Sequence, residues 1–205
     1  MKIFKRIILV ISLLLIYIAI SAFSYVAAVS NDISESVFRL HVIANSDSEE
    51  DQNLKYIVRD NLIKYMNTLT KNMSTKDDAI KIAKEHEQDF RDIAIKTVRE
   101  NGYDYDVKVE IGNCYFPTKY YGDISFPAGY YDALKVEIGE SAGQNWWCVM
   151  FPPLCFVDMS TGIVPDESKQ TIKEQLSEEE YAIINEKNNP NINFKFKLIE
   201  LFSKL

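Results

Sequence analysis

The 205-residue sequence contains few of the residues, and none of the motifs, that usually build an active site. It has two histidines, three cysteines and no Gly-rich phosphate loop, GxSxG elbow, HExxH motif or EF-hand loop. The cysteines at 114, 148 and 155 lack the close paired spacing of zinc sites. We therefore expect no bound metal ion, no cofactor and no catalytic set, which favours a protein that acts by binding.

Basic residues are also scarce, because 23 Lys and Arg stand against 30 Asp and Glu, giving a formal net charge of -7. Three basic residues, Lys2, Lys5 and Arg6, lie at the N-terminus, so the remainder carries about -10 (-7 minus 3). Phosphate recognition needs clustered Lys and Arg, so we expect no nucleic-acid partner. A composition that is 47% hydrophobic and 26% charged indicates a folded globular protein.

An uncharged apolar segment over residues 7–28 follows these basic residues. This pattern is typical of a secretory signal peptide or a membrane-spanning helix, and the length is sufficient to cross a bilayer. Small residues near Val26-Ala27-Ala28 also fit a cleavage site, so the sequence leaves cleavage and retention open. The positive-inside rule places the rest outside the cytoplasm. We expect residues 1–30 to be the signal or anchor and residues 31–205 one extracytoplasmic domain.

The first part of this domain predicts one strand and two helices. Residues 37–45 alternate, with an apolar face opposite a face that carries Arg39 and His41. Apolar positions at helical spacing predict a first helix over 49–69, and a second helix begins near Thr75 and ends at Asn101-Gly102. We expect the two helices to pack as an antiparallel pair on one face of a sheet.

The second part of the domain changes to strand periodicity. Alternation predicts strands over 105–111 and 130–138, with a long ordered loop or bent strands at 112–129 between them, and a strand over 192–198 close to the C-terminus. Residues 146–151 are apolar on both faces, which predicts a central strand ended by Pro152-Pro153 and joined to strand 130–138 in a hairpin. A capping box at Ser177 opens a short helix. The predicted fold is α+β, with two helices on a mainly antiparallel sheet.

Two histidines and two cysteines are candidates for a chemical role. His41, with Asp47 nearby in sequence, could serve a cell-envelope hydrolase, but a face shared with Arg39 is more often a solvated or partner-binding surface. His86 lies on an apolar helical stripe, typical of a core histidine. A disulfide between Cys148 and Cys155 would need a sharp reversal at Pro152-Pro153, since an extended chain separates them by roughly 23 Å at about 3.3 Å per residue.

Three long segments carry a resemblance to a known family. They are FRLHVIANSDSEEDQ (38–52), FPTKYYG with FPAGYYDAL (116–134), and NWWCVMFPPLCFVD (145–158). In this order they resemble the stage II sporulation protein R family of endospore-forming bacteria. The family pattern matches this sequence at Arg39, His41, Asn45, Asp47, Trp147, Cys148, Pro152, Pro153 and Cys155. The resemblance leaves the role of Cys114 undefined.

The resemblance implies a non-enzymatic signalling protein that is made in the forespore and exported to the space between the forespore and mother-cell membranes. Its expected partner is the membrane-embedded mother-cell aspartic peptidase that processes the sigma-E precursor. Candidate contacts with that partner are Arg39, His41, Asn45, Asp47, Leu154, Phe156 and Asp158. Two alternatives stay open at this point: a hydrolase that uses His41 and Asp47, and a structural assembly protein tethered to the membrane through residues 7–28.

Overall fold

The computed structural model describes residues 2–71, 73, 75–154, 164 and 166–185, apart from the side chains of residues 2, 23, 26, 27 and 167. The helices are α1 (Lys2–Glu35), α2 (Glu49–Leu69), α3 (Lys76–Glu85), α4 (Glu87–Glu100), α5 (Asp166–Gln175) and α6 (Glu178–Ile184). The strands are β1 (Phe38–Ile43), β2 (Val107–Phe116), β3 (Lys119–Tyr121), β4 (Ile124–Phe126), β5 (Gly129–Ile138) and β6 (Asn145–Phe151). The predicted α+β class with a mainly antiparallel sheet is confirmed.

Four strands form the main sheet in the order β2-β5-β1-β6. Strand β1 pairs in parallel with β5 and antiparallel with β6, and β2 pairs antiparallel with β5. Strands β3 and β4 form a separate antiparallel hairpin. The N-terminal strand therefore occupies an interior position of the sheet, and all six of its residues are buried.

The predicted hairpin between β5 and β6 is wrong, because β1 lies between these two strands. The sequence predicted a central position for β6, and among the four described strands β6 lies at one end of the sheet. Its apolar character has another cause. Its second half, Cys148 to Phe151, is buried on both faces by the two cores. Burial of a strand's faces does not depend on whether another strand pairs along its edge.

One face of the sheet packs against α2, α3 and α4. Phe38, Leu40 and Val42 of β1 share this core with the apolar stripes of the helices. Cys148 and Met150 of β6 join them as the alternation predicts, but so does Phe151, which was expected on the opposite face. The pairing register of β1 with β6 shifts between Phe38 and Arg39. This irregularity places the side chain of Phe151 on the same face of the sheet as that of Met150.

The predicted second helix is two helices, α3 and α4, separated at His86. The backbone of His86 leaves the helical region (φ -108°, ψ 19°), and its side chain is 34% exposed. The imidazole Nδ1 lies 2.6 Å from Asp89 Oδ2 and 3.0 Å from the Tyr65 hydroxyl. The expectation of a core histidine is therefore wrong, because the break turns this ring to a partly exposed position beside two polar partners.

A second core covers the other face of the sheet. It contains Ile33 from the end of α1, residues of the β3–β4 hairpin, and residues from α5 and α6. The capping box predicted at Ser177 is present at the start of α6, where Ser177 and Glu180 bond each other's backbone amides. Strand β2 continues to Phe116, and β3 and β4 follow it, so residues 112–129 are mostly strand, which is the second of the two structures predicted there. The strand predicted over 192–198 lies outside the described residues.

Among the described helices, α1 is the one long and apolar enough to cross a membrane, over Ile3–Ala22. The apolar side chains of this span are exposed, because no other part of the described domain packs against them. The helix therefore fits a signal or anchor segment.

Candidate functional site

The two faces of β1 differ in what covers them. Side chains alternate along a strand, so Arg39 and His41 point away from α2–α4 toward the second core. The alternation was predicted correctly. The expectation that this face is partly exposed is wrong, because Arg39 is 0% and His41 is 6% exposed.

Arg39 lies inside an aromatic cage. Its guanidinium carbon is 4.1 Å from the ring centroid of Phe116 and 4.6 Å from that of Tyr131. Its Nη2 donates to the Tyr121 hydroxyl at 2.6 Å, while Nε and Nη1 have no hydrogen-bond partner and no carboxylate forms an ion pair with it in the described part of the chain. Cation–π attraction, which is strongest away from water, offsets part of the cost of burying this charge. This conformation does not present Arg39 to a partner.

The His41 ring lies between aromatic neighbours and one amide. It stacks on Trp147 with centroids 3.7 Å apart, and its Nε2 lies 2.6 Å from Oδ1 of Asn145. Because this amide oxygen accepts, Nε2 carries the proton and Nδ1 is left buried without a partner in the described structure. Burial lowers the pKa of His41 to about 4, and this effect outweighs the opposing effect of the hydrogen bond that the ring donates to Asn145. The imidazole is therefore neutral at pH 7.

Asn45 and Asp47 tie two loops together. Asn45 Nδ2 donates to Asp51 Oδ2 at 2.8 Å, and Asn45 Oδ1 accepts from the Glu140 amide at 2.9 Å. Asp47 Oδ1 accepts from the Gln144 amide at 2.7 Å. His41 and Asp47 thus bond different partners and are not assembled as a catalytic pair.

Glycines allow the loop over 139–144 to lie against the loop over 44–47, and together we call them the loop clamp. Gly139 has φ +56° beside Asn45, and a Cβ at Gly143 would lie 2.1 Å from the Ser46 carbonyl oxygen. Asp51 supports the same contact from α2. Burial alone would raise its pKa, but hydrogen bonds from Ser46 and Asn45 lower it below its usual value. The clamp is therefore a rigid, tightly bonded unit.

The part of the second face next to the loop clamp is open and polar. Strand register aligns Glu110, Lys135, His41 and Trp147 in one row across the sheet, with Lys108, Glu137, Ile43 and Asn145 in the next row. Lys135 Nζ lies 2.8 Å from Glu137 Oε1, and this ion pair lowers the pKa of Glu137. We call the polar and aromatic members of the two rows the polar half-face: His41, Lys108, Glu110, Lys135, Glu137, Asn145 and Trp147.

Alternation along residues 130–138 puts Lys135 and Glu137 on the face opposite the apolar residues, but it does not show that they lie beside His41. That neighbourhood follows from the parallel pairing of β1 with β5, for which the sequence carries no local signal. Trp147 is half-buried over His41, and Asn145 is exposed. The residues that the sequence nominated on β1 are thus the floor of this surface, and their neighbours on β5 and β6 form its accessible part.

The remaining candidates lie near or beyond the end of β6. Leu154 was a candidate contact for the partner, but it is 1% exposed and packs in the second core, so this conformation does not present it to a partner. Phe156, Asp158 and Cys155 lie outside the described residues. The Cys148–Cys155 disulfide therefore stays a prediction. Cys114 is a half-buried free thiol whose pKa is raised by burial.

No group of three or more His, Cys, Asp or Glu that could hold a metal ion occurs within the described ranges. The polar half-face instead combines a half-exposed indole with paired charges on a rigid sheet. Such a combination suits recognition of another protein, where aromatic anchors and complementary charges contribute most of the specificity.

Comparison with known proteins agrees with the resemblance seen in the sequence. Residues 34–161 match the family model for stage II sporulation protein R. A protein described as stage II sporulation protein R, from Bacillus subtilis (strain 168), is 34% identical over 185 residues, which cover 84% of this chain and 83% of that protein. No solved structure matches the chain significantly.

Proposed function

We propose, from the premise that this chain belongs to the stage II sporulation protein R family, that its role in sporulation is to carry a signal by binding another protein. In this proposal the chain is exported from the forespore to the space between the forespore and mother-cell membranes. There it activates the membrane-embedded aspartic peptidase that processes the sigma-E precursor. The peptidase supplies the chemistry, and this chain supplies a binding surface.

The observation that carries the proposal is the polar half-face. Trp147 offers an aromatic anchor, and the Lys135–Glu137 pair offers charges in a fixed arrangement beside it. Both stand on strands next to the loop clamp, so little conformational entropy is lost when a partner binds. His41 stabilises the floor through Trp147 and Asn145 and does not need to contact the partner itself.

Activation by binding requires a difference in affinity between two states of the peptidase. A ligand shifts an equilibrium only to the extent that it binds one state more tightly than the other. We therefore expect the chain to bind an active arrangement of the peptidase, for example an active dimer, more tightly than the inactive one.

The hydrolase alternative uses His41 and Asp47, and the geometry favours binding over it. His41 is neutral and bonds Asn145, while Asp47 bonds the Gln144 amide. Replacing His41 by Ala tests this alternative, because loss of a measurable hydrolytic activity together with intact binding would favour the hydrolase. The alternative of a tethered assembly protein depends on whether α1 is retained, which is a separate question from peptidase activation.

The test is to produce this chain, the peptidase and the sigma-E precursor together in a bacterial host that has no other sporulation proteins, and to follow precursor cleavage by immunoblot. The informative variant is the double exchange Lys135→Glu with Glu137→Lys. It keeps the ion pair between these two positions and reverses the charges that the partner meets. Because it also places like charges opposite Lys108 and Glu110 on β2, the circular dichroism and the unfolding free energy of the variant must match those of the unaltered chain. We expect processing to fall about tenfold or more, equivalent to about 1.4 kcal/mol of lost binding free energy.

The matched control is the exchange Lys96→Glu with Glu100→Lys on α4, an exposed pair 3.7 Å apart on the opposite side of the sheet. It should leave processing unchanged. Absence of processing with the unaltered chain would contradict peptidase activation as such. Full processing with the Lys135–Glu137 exchange would instead show that the partner binds elsewhere.

A further inference from the structure

Helix α1 continues without a break from its apolar span into the folded domain. It is one helix over Lys2–Glu35, and its last turns belong to the second core, where Ile33 is 0% exposed and Val29 packs against the same cluster. The Ile33 carbonyl accepts the Ser36 amide as the chain turns into β1. The apolar span is therefore held in a defined direction relative to the sheet.

The length of α1 indicates where a bilayer would meet the domain. A hydrocarbon layer of about 30 Å needs roughly 20 helical residues at about 1.5 Å each. Counting from Ile7, which follows the basic residues Lys5 and Arg6, this layer ends near residue 26. Ser30 then lies about 6 Å further out, within the lipid headgroup layer.

The topology places one end of the sheet at this level. Strand β1 starts three residues after α1 ends, and β5 runs parallel to it, so both strands begin at the same end, where β2 terminates. A Cβ at Gly129, the first residue of β5, would lie 3.9 Å from the Ser30 Oγ. The beginning of β5 is thus adjacent to the point where α1 leaves the domain.

Two tyrosines occupy this end of the sheet. Tyr130 is 64% exposed, and its ring meets Tyr115 edge-to-face with centroids 5.6 Å apart. Outside α1, the described part of the chain has just four large apolar side chains that are exposed: Tyr56, Ile57, Tyr120 and Tyr130. Tyrosine is favoured at the membrane–water interface, where its ring enters the headgroup layer and its hydroxyl remains hydrated.

We propose that α1 is retained and seats the domain on the outer surface of the bilayer, with Tyr115 and Tyr130 among the phospholipid headgroups. The loop clamp follows the opposite ends of β1 and β5, about 17 Å away along the five residue steps of β1. The loop clamp and the neighbouring polar half-face therefore face away from the membrane. We expect a partner to bind the polar half-face in the aqueous space above the bilayer.

The test uses the full chain reconstituted in vesicles of phosphatidylethanolamine and phosphatidylglycerol. The photoreactive amino acid benzoylphenylalanine replaces Tyr130 in one sample and Tyr56 in another, and lipid adducts are measured by mass spectrometry after illumination. Tyr56 is the matched control because it is an exposed tyrosine that contacts Trp146, whose cross-strand partner Val42 lies near the other end of β1. We expect several-fold more lipid adduct at 130 than at 56.

A third sample with the photoreactive residue at position 115 keeps the test informative if the change at 130 disturbs folding. Equal adduct formation at 56 and at both interface positions, or none at either interface position, would overturn the proposal. Recovery from cells of a chain that has lost α1 by cleavage near Ala28 would also overturn it. The proposal is independent of peptidase activation, since a chain that activates no peptidase would still form the lipid adducts.

Discussion

Arg39 carries a positive charge with no exposed surface and no carboxylate partner among the described residues. Removing such a charge from water costs several kcal/mol. Two close rings, each contributing about 2 kcal/mol when desolvated, and the charged hydrogen bond to Tyr121 offset most of that cost. The side chain therefore works mainly as a space-filling element of the second core.

This balance predicts different outcomes for two substitutions. Arg39→Met keeps the volume and removes the buried charge, so the unfolding free energy should stay within about 1 kcal/mol of the unaltered value. Arg39→Ala leaves a cavity and should lower the unfolding free energy by about 3 kcal/mol. Urea denaturation of the detergent-solubilised chain, followed by tryptophan fluorescence, measures both. Equal losses for Met and Ala would show that the charge itself holds the core together.

His41 makes stability depend on pH. Its pKa is about 4 in the folded protein against 6.5 in the unfolded chain, so the unfolded state binds a proton first as pH falls. Stability is fully present above pH 6.5 and declines between 6.5 and 4, by about 3 kcal/mol in total. Burial is the main cause, and the charges of Lys135 and Arg39 act in the same direction.

The measurement is the unfolding free energy at pH values from 7 to 4, with His41→Phe as control. Phenylalanine can stack on Trp147 but does not titrate, so the variant should lose the decline that belongs to His41. Carboxylates with lowered pKa values, such as those of Asp51 and Glu137, lose their stabilising contribution only from about pH 4.5 downward, and they do so in both proteins. A variant with the same decline as the unaltered chain would contradict the assignment.

At the scale of elements, the loop clamp determines whether the start of β6 sits correctly beside β1. Backbone hydrogen bonds join Ala142 to Asn45 and Gly143 to Ala44, and the Lys55 ammonium donates to the Gln144 carbonyl. These contacts lie directly before Asn145, the residue that bonds His41. The geometry of the polar half-face therefore depends on a close approach of two backbones.

Gly143→Ala tests this dependence, because the added Cβ would fall 2.1 Å from the Ser46 carbonyl oxygen. We expect a loss of about 2 kcal/mol in unfolding free energy, typical of overpacking against backbone. Gly112→Ala is the matched control on β2, since its Cβ would meet nothing closer than 4.0 Å, and it should change stability by less than about 1 kcal/mol. Comparable losses for the two variants would indicate that close packing at Gly143 is unimportant.

At the scale of the whole molecule, the two faces of the sheet have different roles. Helices α2, α3 and α4 cover most of one face of the sheet and stabilise it. On the other face, the end of α1, the β3–β4 hairpin and α6 cover one half and leave the polar half-face open. A single sheet thus connects the membrane-directed helix at one end with the proposed recognition surface toward the other.

Local features of this protein were predictable from its sequence alone. The first predicted helix coincides with α2, Glu49–Leu69, and the capping box at Ser177 starts α6. The apolar character of α1 was equally plain. The helix and its cap depend on contacts between residues three or four positions apart, which can be recognised in the sequence, and the apolar character of α1 is a matter of composition.

Only the tertiary structure decided the order of the strands and the burial of the site. Strand pairing joins residues far apart in the chain, so alternation on β1, β5 and β6 does not show that β1 lies between the other two. For the same reason the sequence suggested an exposed Arg39 and His41. Their burial is caused by aromatic residues of β2, β3, β5 and β6, which only the folded chain brings onto that face.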